Sequence, residues 1–109
     1  MLKIIEEKAD EETMNSVSED LNGYVKVVVD IEKEILAAGG SMHVQGEELL
    51  LKNGSQQKNL WGGGLDLDTN QIDYDSMINM RPNQGNSSRE VLGLNIRKQM
   101  ETIIRNLLR

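Results

Sequence analysis

Residues 24–31 alternate with a period of two: Val25, Val27, Val29 and Ile31 fall on one face of an extended chain, Lys26, Val28 and Asp30 on the other. No helix presents residues that way, so the run is a strand. A lone strand leaves its backbone donors and acceptors unpaired, and the chain must supply a sheet around it. Phe is absent and the aromatics are Trp61, Tyr24 and Tyr74, so Val, Ile, Leu and Met have to fill the core. A chain of 109 residues suits one domain, 1–109, that buries roughly 65% of its unfolded surface.

The rest of the chain supplies neighbours for that strand. Residues 2–7 are a short β-prone run. Asp10 is an N-cap with Glu11 and Glu12 in the first turn, where the helix dipole favours acids. Met14, Val17 and Leu21 recur at helical spacing and Asn22-Gly23 stops them, which predicts a helix over 10–22. Residues 30–39 admit two readings. Asp30 caps a helix carrying Ile31, Ile35 and Ala38, or Glu32-Lys33 turns the chain into a second strand over 34–42. The β-branched run upstream and the Gly39-Gly40 pair favour the hairpin. A short helix over 47–54 opens with acids and closes on Lys52 and Gly54. Residues 60–68 and 72–80 read as a second hairpin around Thr69-Asn70, with Asp66 opposite Asp73 and Leu65 opposite Tyr74. Over 95–109, Ile96, Met100, Ile103, Ile104, Leu107 and Leu108 follow helical spacing, with Arg97, Lys98, Glu101, Arg105 and Arg109 outward. The order β-α-β-β-α-β-β-α describes an α+β fold, three helices on a mainly antiparallel sheet.

Charge is unevenly distributed. Residues 1–80 carry six Lys against sixteen Asp and Glu, while residues 81–109 carry five Arg and one Lys against two Glu. An acidic body argues against nucleic acid, which needs a broad basic footprint. The basic end complements the acidic body, within one molecule or between copies in a homo-oligomer, or meets an anionic ligand or a protein partner. No Cys is present, which excludes disulfides and thiolate chemistry. No window approaches the roughly 20 apolar residues of a membrane span, and the opening apolar run is too short for a signal peptide. The expected location is cytoplasmic.

Motifs for chemistry are few. The aspartates of the second hairpin, Asp66, Asp68, Asp73 and Asp75, lack a calcium-loop spacing, so no metal site is assigned. Gly62-Gly63-Gly64 runs into Leu65-Asp-Leu-Asp68, without the helix or Lys of a phosphate cradle, and no cofactor is implied. His43, the sole histidine, cannot form a zinc pair and lies in no nucleophile motif. Asp75-Ser-Met-Ile-Asn-Met-Arg-Pro-Asn-Gln-Gly-Asn-Ser-Ser-Arg89 is different. Asp75, Asn79 and Arg81 share one face of the expected strand, and Pro82 ends it. Asn83, Gln84, Asn86 and Ser88 then offer donors and acceptors between Arg81 and Arg89, which suit a bidentate anion grip. The competing reading is a turn whose side chains satisfy their own backbone.

Val28-Val-Asp-Ile-Glu-Lys-Glu-Ile-Leu-Ala-Ala-Gly-Gly-Ser-Met-His43, Gly54-Ser-Gln-Gln-Lys-Asn-Leu-Trp-Gly62 and the 75–89 stretch together resemble a family of short prokaryotic proteins of unknown function. The resemblance implies a shared fold and a shared polar site, and no activity. The family pattern reads Trp-Gly-x-Asn where this chain has Trp61-Gly-Gly-Gly64, so it lacks that amide. The sequence thus describes a small module binding a polar or anionic ligand, or a protein partner, through residues 81–89, with Gln57, Asp75 and His43 contributing. Its rival is a small hydrolase-like enzyme using His43 as general base, with Arg81 or Arg89 stabilising negative charge.

Overall fold

The computed structural model describes residues 1–108; Arg109, read above as part of the last helix, lies outside them. Strand β2 (Tyr24–Asp30) is the centre of a five-stranded antiparallel sheet, order β1-β3-β2-β4-β5. Its partners are β3 (Ile35–Ala38) and β4 (Leu60–Asp66). β1 (Lys3–Ile5) and β5 (Ile72–Asp73) form the edges. Three helices, α1 (Glu11–Ser18), α2 (His43–Lys52) and α3 (Leu94–Leu107), complete the expected α+β order.

Both faces of β2 are covered, which explains why Val28 interrupts an otherwise polar phase. Val25, Val27 and Val29 pack with Trp61, Leu65 and the buried sides of α1 and α3, from Met14 and Val17 to Ile103, Ile104 and Leu107. Val28 packs on the opposite face with Ala37, Leu50 and Leu60 beneath α2. Gly46 sets the depth of that contact. A Cβ there would come within 3.0 Å of Val28 and 3.4 Å of Ala37, so α2 rests nearly on the strands.

Asp30 resolves the ambiguity at 30–39 in favour of the hairpin. Its Oδ1 accepts from the N–H groups of Glu32 (3.0 Å) and Lys33 (2.9 Å), as a helix cap would, but Glu34 turns to φ 58° and the chain returns as β3. Ser55 donates to Oδ2 at 2.6 Å, leaving a 1%-exposed carboxylate well partnered.

Several expected boundaries move. α1 ends at Ser18 rather than 22, because residues 19–23 tighten into a turn closed by Gly23 donating to the Ser18 carbonyl at 3.0 Å. α2 starts at His43 rather than 47. No Ser, Thr, Asp or Asn caps it; instead the Gln45 side chain reaches back to the N–H groups of Ser41 and Met42, both at 3.2 Å, the reciprocal half of a capping box. The second hairpin is displaced by two residues: Leu65 faces Ile72 and Gly64 faces Asp73. The Asp66 carboxylate, capping the amides of Asp68 (2.9 Å) and Thr69 (3.3 Å), lengthens the loop.

The largest departure is the expected strand over 72–80, which ends at Asp73. Residues Met77–Asn79 and Pro82–Gln84 form 3₁₀ turns instead. The edge of β4 left without a strand is closed by side chains, chief among them that of Asn79. Asn79, fully buried, accepts from the Gly62 N–H at 2.8 Å and donates to the Gly62 carbonyl at 2.9 Å. The same amide nitrogen also reaches the carbonyls of Tyr74 (3.2 Å) and Arg89 (3.0 Å). Asn79→Ala strands these groups away from water and should lower unfolding stability by on the order of 3 kcal/mol in a urea titration. A loss below about 1 kcal/mol would mean the edge is held by something else.

Candidate functional site

The polar residues between 75 and 92 divide into those turned inward on the backbone and those turned out to solvent. Asn86, 4% exposed, donates to the carbonyls of Asn79 (2.8 Å), Ser88 (2.9 Å) and Glu90 (3.0 Å) and accepts from the Leu92 N–H at 2.9 Å. Ser88 accepts from the Glu90 N–H at 3.0 Å. Gln84 is exposed, its amide joining the Lys58 carbonyl (3.2 Å) and the Arg81 guanidinium (3.3 Å). Asn83 is exposed at the turn, and Gln57 contributes a main-chain carbonyl rather than its side chain.

Arg81, 5% exposed, is spent in the same way. Its guanidinium donates to the carbonyls of Ile78 (2.9 Å), Gln57 (2.8 Å) and Leu60, and lies 4.4 Å from the centre of the Trp61 ring. The Leu60 carbonyl needs it, because β5 pairs only with Gly64 and Leu65 and leaves the outer edge at the start of β4 without a strand. The grip on an anion expected of Arg81 would cost these bonds.

Arg89 sits differently. Its Nε donates to Asp75 Oδ1 at 3.0 Å, both side chains being about half exposed. Its two terminal amino groups have no hydrogen-bond partner among the described residues. The side chain borders a hollow of about 210 Å³ between the start of α2 and the 3₁₀ turn Met77–Asn79. Lys26, Ser41, His43 and Ser76 supply its polar lining and Met42, Val44, Met77 and Ile78 its apolar lining. Of the expected site residues, therefore, His43 and Arg89 meet, with Asp75 orienting the latter; Arg81, Asn79, Asn86 and Gln57 do not reach this hollow. Lys26, Met42 and Met77 were not foreseen. Lys26 reads in the sequence as the solvent phase of a strand, and no local signal distinguishes it. Larger hollows exist, one of about 540 Å³ along α3 at Ile31, Glu34 and Thr102, but no histidine or arginine borders it. Among the described residues no three His, Asp or Glu side chains converge as metal ligands.

The triple glycine is the backing of this region. A Cβ on Gly62 would lie 2.6 Å from that of Ser76, and one on Gly64 would strike the Tyr24 hydroxyl. That hydroxyl donates to Asp73. Burial and the neighbouring Asp73 hold the Tyr24 phenol well above its usual range, so it stays a donor.

His43 is the first residue of α2, its side chain half-buried, and Nε2 lies 2.7 Å from the Gly63 carbonyl. A carbonyl only accepts, so Nε2 carries a proton and Nδ1 is the free nitrogen of the neutral ring. Desolvation pushes its pKa below the usual 6.5, Lys26 adds to the effect, and the Gly63 bond opposes it. A histidine with a depressed folded pKa binds its proton more readily when unfolded. Its contribution to stability is complete above the unfolded pKa near 6.5 and is lost as pH falls through the folded value. Stability measured from pH 7.5 to 5.5 should therefore fall less steeply in His43→Gln than in the parent chain; parallel curves would place the titration elsewhere.

No curated protein and no solved structure matches the chain. A family model described as protein of unknown function, DUF5674, matches residues 3–107, and the chain belongs to that family.

Proposed function

We propose that this protein is a binding module for a small anion, held in the hollow between the start of α2 and Arg89. The observation that carries the reading is the convergence of Lys26, His43 and Arg89 on one space of about 210 Å³. With His43 neutral and Asp75 offsetting part of the Arg89 charge, Lys26 and the open edge of Arg89 leave a small positive excess that a single anion would balance. The N-terminal end of α2 borders the same space and adds its partial positive charge, although the Gln45 N–H is taken by the Met42 carbonyl at 3.2 Å. The volume is below the roughly 300–1,000 Å³ usual for drug-sized ligands, so the hollow suits a small anion or one end of a larger molecule.

The observations favour binding over catalysis. A serine activated by histidine needs the two in hydrogen-bond reach, and His43 makes its bond to Gly63 rather than to Ser41 or Ser76. With no Cys in the chain, a reducing cytosol fits the proposal.

Titration with inorganic phosphate and with acetate, followed through the backbone amide signals of residues 41–44, tests the reading. Arg89→Ala should weaken binding about tenfold while leaving the unfolding midpoint nearly unchanged. Arg81→Ala should do the converse, costing about 2–3 kcal/mol of stability because three backbone carbonyls lose their donor. Anion affinity that survives Arg89→Ala sinks the proposal.

A further inference from the structure

The ligand's chemistry can be narrowed, on the footing that the anion reading above is right. We infer that the occupant is the free carboxyl end of a peptide whose last side chain is apolar. Two features lead there. The first is the charge of the hollow. Asp75 is bound to Arg89 through Nε, so it offsets much of that arginine's charge and leaves one edge of the fork open. One open guanidinium edge with one ammonium from Lys26 suits a monoanionic carboxylate better than a doubly charged phosphate.

The second feature is the rim. Met42, Val44 and Met77 border the same hollow and remain 56%, 40% and 62% exposed. A bare ion would leave this apolar margin in water. Flexible thioethers are suited to closing over variable apolar groups. In a peptide end the carboxylate and the last side chain leave one carbon atom, so the charge can descend between Lys26 and Arg89 while the side chain spreads on the methionines. A straight-chain acid carries its tail directly away from its charge and meets that rim poorly. Chain-end capture by positive groups and backbone amides is an established mode of peptide recognition.

The test is a titration of the full chain with acetylated tripeptides ending in Leu, Met or Val, against the same peptides as C-terminal amides, hexanoate and inorganic phosphate. Chemical-shift changes at His43, Val44 and Met77 report occupancy. The acids should bind saturably and the amides at least about tenfold more weakly. Met77→Ser, at an exposed position, should weaken the peptides and leave acetate unaffected. Amides binding as well as acids, or hexanoate binding as well as the peptides, overturns the inference. Phosphate binding that depends on Arg89 with no peptide binding overturns it too, and leaves the anion reading standing. Failure of every ligand removes both.

Discussion

Gly62 belongs to a strand whose outer neighbour has already ended, so its N–H and C=O would face a gap, and the side chain of Asn79 meets them both. One primary amide thereby replaces a stretch of β-ladder. Buried backbone groups left without partners are costly, and the same amide also serves Tyr74 and Arg89. Asn86 and Arg81 repeat the device along the loop, with amide and guanidinium donors satisfying carbonyls that no strand reaches. The loop is thus fixed from within, and Arg89 departs from a rigid frame.

This explains what the sequence discloses and what it hides. The alternation through Val25, Val27 and Val29 and the stripe from Ile96 to Leu107 report burial directly, and both elements form where those patterns stand. Residues 72–80 carry an extended-looking pattern that ends after Asp73, because Ser76 accepts from the Ile78 N–H at 3.3 Å and starts a 3₁₀ turn. Side chains that imitate backbone pairing leave no periodic trace. The start of α2 is invisible for a related reason. Its capping comes from Gln45, inside the helix, rather than from the residue before it.

The candidate site was half legible. Polar density between Arg81 and Arg89 marks the loop from which Arg89 departs, but amides and guanidinium groups look the same in a sequence whether they face a ligand or their own chain. Only burial separates them: Arg81 lies over Trp61 while Arg89 stands in solvent beside Asp75. The other half, Lys26 on β2 and His43 on α2, arrives from segments far apart in the chain and is joined by the β2–β4 pairing and the contact of His43 with Gly63.

The glycines of β4 have one further effect. Behind the imidazole stands bare main chain, and a side chain added at Gly62, Gly63 or Gly64 would collide with Ser76, the Asp73 carbonyl or Tyr24 respectively. A surface made of peptide groups offers identical dipoles whatever drift occurs around it, so one bank of the cleft is chemically frozen. The opposite bank, at Met42, Val44 and Met77, is exposed, so side chains there vary at the least cost to packing.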